Sequence, residues 1–172
     1  MVKYMYIHIK QGEVMSVRLE DEIKQKEFRN PYQKVIVNVL YTGSWMNLIQ
    51  TGYLKKFGLS LPQYNVLRIL RGQYPTPATI NLIIDRMLDK SSNASRIVDK
   101  LVLKKLAVRS TSELDRRAVD VVITEKGLKL LAEIDKASDE WEKQFRTMTV
   151  KQADKLNELL DKLRGDDFYG TK

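Results

Sequence analysis

The sequence contains no cysteine and a single histidine, His8. Without cysteine there is no disulfide framework, no thiolate metal or iron–sulfur site and no cysteine redox sensor. One histidine excludes a multi-histidine metal sensor, and no carboxylate grouping points to another metal site, so no cofactor is expected. No uninterrupted apolar run approaches the roughly 20 residues a membrane-spanning helix needs. There is no glycine-rich phosphate loop, nucleophile–histidine pairing or carboxylate cluster of obvious geometry, which argues against an enzyme. Acidic residues are the minority: 22 Asp and Glu stand against 30 Lys and Arg, a net charge of +8 in 172 residues. That balance favours a polyanionic partner, nucleic acid above all. A cytoplasmic protein without a membrane partner is the expectation.

The first ten residues, MVKYMYIHIK, partly alternate in polarity as a short strand would, and lack the apolar core and cleavage site of a signal peptide. Residues 10–14 back-translate to a purine-rich string with the character of a ribosome-binding site just ahead of Met15. Translation is therefore expected to begin at Met15, with residues 1–14 upstream of the native start.

What the sequence does contain is concentrated between Ser91 and Gly127. Ile97, Leu101 and Leu106 mark an apolar stripe flanked by Ala94, Val98 and Val102. Ser91, Ser92, Asn93, Ser95, Arg96 and Lys100 lie largely off it. Two short strands follow, Ala107-Val108 and Val119 to Ile123, around a charged tip from Ser112 to Arg117. Between Arg86 and Arg117, nine basic residues stand against four acidic ones, so this window supplies +5 of the net charge. A polar-fronted helix can reach base edges in a major groove, and a cationic hairpin beside it can grip the adjacent backbone or minor groove. A solvated basic surface is the plainer alternative.

Start signals divide the rest into helices, with no internal repeat or low-complexity linker. Asn30-Pro31-Tyr32-Gln33 places a cap, an N1 proline and a capping-box glutamine in order, opening a helix that ends near Gly58. Ser60-Leu61-Pro62-Gln63 opens a second helix, closing around Gly72, and Thr76-Pro77 a third. Thr124 caps a longer helix carrying Leu128, Leu131, Ile134 and Trp141. Thr149-Val150-Lys151-Gln152 is another capping box, and the tail from Gly165 is polar. The expected fold is mainly α with a small β-wing: a winged helix-turn-helix with N- and C-terminal dimerisation helices. The expected divisions are 1–29 as extension, 30–58 as dimerisation helix, 59–127 as winged helix-turn-helix, and 128–172 as C-terminal helices and tail.

Within this order the segment from Asp115 to Gly127, DRRAVDVVITEKG, resembles the D-x-R…T-x-x-G wing signature of the multiple-antibiotic-resistance regulator (MarR) family. Asp115, Arg117, Thr124 and Gly127 fall on the signature positions, and Ser95 to Leu101 is similar to the family's recognition-helix core. The resemblance extends in pattern over residues 30–164. It implies a homodimeric regulator of transcription that binds a pseudopalindromic double-stranded DNA operator, usually as a repressor. It also implies a small effector, often phenolic or otherwise aromatic. There are two departures. Leu106 stands where the family usually has a helix-ending glycine, so this helix is expected to end differently or run longer. Arg109 lies one place before the usual wing arginine.

Residue roles follow. Ser92, Asn93, Ser95 and Arg96 are expected at base edges or nearby phosphates, with Ser91 beside them; Arg96 either pairs bidentately with guanine or holds a phosphate. Lys100, Lys104 and Lys105 hold phosphates or stay solvated, and Arg116 and Arg117 serve the wing, with Asp115 ordering Arg117 as its ion-pair partner. Thr76 and Thr79 are candidates for phosphate contacts at the start of the third helix. Val35, Ile36, Val39 and Leu40, with Leu156, Leu159, Leu160 and Leu163, form apolar stripes that either pair between protomers or pack within one chain. Trp45, Tyr53 and Tyr64 are expected in an effector pocket, although aromatic stripes of this kind also serve as ordinary core. The rival from another class is a helical dimer that works through protein contacts, its wing not reading DNA.

Overall fold

The computed structural model describes residues 9–10, 13–14, 17–111, 118–143 and 146–165, without the side chains of 9–10, 13–14, 139–141 and 143. Asp115, Arg116 and Arg117, and the side chain of Trp141, lie outside the described residues. The chain divides into two compact units, one formed by residues 18–136 and the other by residues 1–17 with 137–172.

In the larger unit, α1 (Leu19–Glu22) is a single turn and α2 (Pro31–Lys55) a 25-residue helix. Asn30 caps α2 by accepting the Gln33 N–H at 2.9 Å. The Gln33 side chain closes the reciprocal bond one residue early, accepting the Arg29 N–H at 2.7 Å. The two segments are joined by charge and hydrogen bonding: Lys34 donates to Glu20 at 2.6 Å and Tyr41 to Glu22 at 2.6 Å. α3 (Leu61–Gln73) opens with the complete Ser60–Gln63 capping box and runs one residue past Gly72.

The third helix differs from expectation. Thr76-Pro77 does not open it; Ala78–Thr79 instead form a short strand, β3, and α4 (Ile80–Arg86) begins after them. Thr79 is the cap, its hydroxyl accepting the Leu82 N–H at 3.2 Å. α5 (Ala94–Leu103) leads to β4 (Ala107–Thr111) and β5 (Val119–Ile123), which pair antiparallel with Ala107 opposite Ile123 and Thr111 opposite Val119. β3 adds to the other edge of β5, Ala78 opposite Val121, giving the order β3-β5-β4. α6 (Glu125–Lys143) follows directly.

One core joins these elements. Val66, Leu67 and Leu70 of α3, Ile83 of α4, Ala94, Val98 and Leu101 of α5, Val121 and Ile123 of β5, and Leu131 and Ile134 of α6 are all buried in it. The buried stripe of α5 is thus centred on Ala94, Val98 and Leu101, while Ile97 and Val102 are only partly covered. At roughly 1.5–3 kcal/mol for each fully buried large aliphatic side chain, this burial fixes how α5 is rotated about its axis.

In the smaller unit, β1 (Ile9–Lys10) and β2 (Glu13–Val14) pair as a short antiparallel hairpin. α7 (Val150–Arg164) starts at a complete Thr149–Gln152 capping box. No helix among the described residues is long and apolar enough to cross a membrane.

Candidate nucleic-acid interface

The burial of Ala94, Val98 and Leu101 turns the opposite face of α5 outward, and Ser95, Arg96 and Lys100 are exposed on it. Among the described residues, these three take part through their side chains in no hydrogen bond or ion pair. The rest of the expected polar front is arranged differently. α5 begins at Ala94, so Ser91 and Ser92 lie in the preceding turn and not on the helix. Asn93 is the N-cap, its Oδ1 accepting the Arg96 N–H at 3.0 Å. The turn is tied to α3 by the Leu88 N–H, which donates to Asn65 Oδ1 at 3.0 Å. Thr76 is exposed ahead of β3. Thr79, committed as an acceptor to its cap, keeps its hydroxyl proton available.

The junction between α5 and the wing explains how Leu106 is accommodated. The helix does not run longer. Lys105 takes the left-handed conformation (φ 59°), and the Leu106 N–H donates to Leu101 O at 2.9 Å while the Lys105 N–H donates to Val102 O at 2.8 Å. That pair of bonds is a Schellman motif, normally closed by glycine, here with lysine at the strained position. Leu106 is thereby freed to bury its side chain in the core.

Thr124 and Gly127 clasp this junction. The Thr124 hydroxyl donates to Lys105 O at 2.9 Å and accepts the Gly127 N–H at 3.1 Å, and the Thr124 N–H donates to Leu106 O at 3.0 Å. Gly127 has no unusual φ. Its role is close approach: an added Cβ would stand well inside 3.0 Å of the Leu106 carbonyl oxygen and 2.7 Å from Ile123 Cγ1. Glycine is required at this signature position because α6 starts against a carbonyl.

Lys104 and Arg109, both in the basic window, have intramolecular duties. Lys104 Nζ donates to the Gly58 carbonyl and to Gln63 Oε1 (2.9 Å), so it fastens α5 to the α2–α3 turn and is not simply solvated. Arg109 pairs with Asp99, linking the base of the wing to α5. Lys126 Nζ caps the end of α5 by donating to Lys104 O at 3.1 Å.

The aromatic residues are partly packed on the core. The Tyr53 hydroxyl donates to Ile134 O at 3.1 Å, and its ring meets Phe57 edge-on at 5.5 Å. Tyr64 accepts a hydrogen bond from Arg68 at 2.9 Å. Arg68 and Arg71 both reach Asp135 on α6. Burial, then the neighbouring Tyr64 and Asp135, push the Tyr53 hydroxyl above its ordinary pKa. Trp45 is half-buried on α2.

The stripes at the chain's two ends are uncovered. Val35, Ile36, Val39 and Leu40 on α2 are all exposed, Leu40 to 69%. On α7, Leu156, Leu159 and Leu163 are exposed and Leu160 is half-buried.

A helix presented outward from a three-helix core and followed by a two-stranded wing, with a third strand entering before the preceding helix, is the winged helix-turn-helix of DNA-binding proteins. A family profile described as MarR family matches residues 57–118. The HTH-type transcriptional regulator MhqR of Bacillus subtilis is 31% identical over 113 residues, covering 64% of this chain and 76% of that protein. MgrA of Staphylococcus aureus, also an HTH-type transcriptional regulator, is 27% identical over 109 residues, covering 63% and 72%. A crystallised MarR transcription factor from Planctomyces limnophilus shares 30% identity with a TM-score of 0.59, over 78% of this chain and 96% of that one. An organohalide-sensing transcriptional regulator solved in its 2,4-dichlorophenol-bound form has a TM-score of 0.70 at 19% identity, covering 83% of each chain, and shows the fold alone. The chain belongs to the MarR family, whose members are transcription regulators and not enzymes.

Proposed function

We propose that this protein is a homodimeric transcriptional repressor in the cytoplasm that binds a pseudopalindromic operator. α5 enters the major groove with Ser95 and Arg96 towards base edges and Lys100 towards phosphate. Thr76 and Thr79, the turn residues Ser91 to Asn93, and Arg116 and Arg117 of the wing complete the contact surface, Asp115 ordering Arg117. The observation that carries this reading is the outward face of α5, whose Ser95, Arg96 and Lys100 lack intramolecular partners among the described residues. The uncovered apolar faces of α2 and α7 support pairing with a second copy, since exposed apolar surface of this extent marks an interaction site. In a dimer the two copies of α5 would reach half-sites about 10 bp apart. The domain divisions at 30, 59 and 128 belong to the same reading.

Selection of genomic fragments by the purified protein tests it. Retained fragments should share a two-fold half-site, and binding should weaken steeply with salt as counterions are released. Retention of no fragment at low salt would refute DNA binding and favour a protein-contact module. Release by a small aromatic effector at Trp45, Tyr53 and Tyr64 is the further part of the proposal. The relative solved with 2,4-dichlorophenol lends it support. Titration with phenols and aromatic acids should change Trp fluorescence and loosen operator binding, and a flat response in both removes this part.

A further inference from the structure

The turn ahead of α5 contains an arrangement that a simple polar front does not require. Asp89 Oδ1 accepts the Ser91 N–H at 2.9 Å and the Ser91 hydroxyl at 2.6 Å, and Asp89 Oδ2 accepts the Ser92 hydroxyl at 2.7 Å. These bonds, led by those from the two hydroxyls, hold the Asp89 carboxyl below its ordinary pKa. At neutral pH it is ionised and can only accept, so both serines must donate. A hydroxyl has one proton and two lone pairs. With the protons directed at Asp89, Ser91 and Ser92 offer only lone pairs outward. Phosphate oxygens, guanine O6 and N7 and thymine O4 are themselves acceptors and gain nothing from such a partner. The major-groove donors are the N4 amino group of cytosine and the N6 amino group of adenine. The Asp89 charge itself, exposed on the same turn, also disfavours close approach of phosphate.

We propose that Asp89 is a specificity-determining residue of the DNA-binding surface: it fixes Ser91 and Ser92 as hydrogen-bond acceptors that select base amino groups over phosphate. The inference rests on the DNA-binding reading above. It alters the part assigned to these serines, from general contacts to readers of cytosine or adenine.

The test measures wild type, Asp89→Asn and Ser92→Ala against three kinds of duplex. These are a selected operator, the same operator with purine for adenine or pyrimidinone for cytosine at single half-site positions, and an unrelated sequence. Removing one amino group should weaken wild-type binding about tenfold at one or two positions. Asp89→Asn retains the acceptor for the Ser91 N–H but replaces the charge and frees the Ser92 hydroxyl to donate. It should lose that sensitivity at the position Ser92 reads, keep any at a position Ser91 reads, and bind the unrelated duplex several-fold more tightly. Ser92→Ala should lose sensitivity at the same position without the second effect. If Asp89→Asn weakens operator and unrelated duplex equally and keeps the amino-group sensitivity at every position, Asp89 merely shapes the turn and the proposal is overturned. Wild type insensitive at every position overturns it as well. Wild type that retains no duplex at low salt instead refutes the underlying DNA-binding reading. Matching circular dichroism and thermal midpoints for the variants keep misfolding from imitating any of these results.

Discussion

Replacing Gly127 with alanine should destabilise the protein, although alanine is the better helix former. The new methyl group would be forced against the Leu106 carbonyl oxygen and Ile123 Cγ1. Neither neighbour yields readily. The carbonyl accepts the Thr124 N–H at 3.0 Å, and Ile123 is 2% exposed within the core. Overpacking of this kind costs about 1–3 kcal/mol. Retreat of the carbonyl would also weaken a hydrogen bond with a net contribution of roughly 0.5–1.5 kcal/mol. Against this stands a helix-propensity gain of at most about 1 kcal/mol. The balance is a loss of about 1–3 kcal/mol, lowering the thermal midpoint by roughly 3–10 °C in a chain of this size. Gly72→Ala in α3 is the control. An added Cβ there meets nothing within 4 Å, so the propensity gain stands alone and stability should rise by about 0.5–1 kcal/mol. Urea unfolding at fixed protein concentration separates the two variants and guards against mass-action shifts from self-association. A Gly127→Ala protein as stable as wild type would refute the close-approach argument.

Lys105→Gly should have the opposite sign. It relieves a left-handed non-glycine residue and should raise stability by about 0.5–1 kcal/mol in the same assay, once glycine's larger unfolded-state entropy is deducted; a loss would show the conformation to be unstrained. Glu20 gives a pH signature, because the Lys34 hydrogen bond, its own backbone N–H and Arg18 together hold its carboxyl at about 2 against an ordinary 4.5, with desolvation opposing them. The folded value lies below the unfolded one, so this stabilisation is complete above pH 4.5 and is lost as pH falls towards 2. The stability difference between wild type and Glu20→Gln should therefore shrink over that window, and a difference constant with pH would contradict the assignment. Leu40→Glu and Leu159→Glu each place a charge on an uncovered apolar face. Sedimentation should show each shifted from dimer to monomer with helix content retained, and dimers that persist in both variants would argue against those faces as the interface.

Local chemistry made much of the fold legible from sequence. The caps at Asn30, Ser60 and Thr149 are contained within four residues each, and all three helices begin where those signals stand. The stripes of α3 and α6 were similarly clear, because apolar residues at helical spacing face one core. β3 was not legible. Two residues have no period, and their partner, Val119–Ile123, lies some 40 residues on, so Thr76-Pro77 looked like the helix start. At Leu106 the sequence left two endings open, a different one or a longer helix; the structure has the different ending, with Lys105 in the left-handed conformation and Leu106 buried. The hydrogen bonds of Ser91 and Ser92 to Asp89 were hidden because composition counts hydroxyls without showing which acceptor holds their protons.

The same distinction governs the electrostatics of the surface. Nine cations in the window between Arg86 and Arg117 suggest a uniformly adhesive face, yet their placement divides them. Lys104 is tied to the α2–α3 junction and Arg109 is paired with Asp99, so part of each cation's charge and donor set is taken up within the fold. Asp89 adds a negative charge beside the entrance to the helix. On the proposed reading, non-specific attraction at α5 rests mainly on Arg96 and Lys100, a smaller share than the net charge implies. A regulator that must leave random DNA for one operator benefits from that restraint, since its discrimination is the ratio of specific to non-specific affinity. If this chain reads an operator as proposed, that restraint comes from pairing cations within the fold, with the outward donors left to a short segment, Ser95 to Lys100, whose orientation the core fixes.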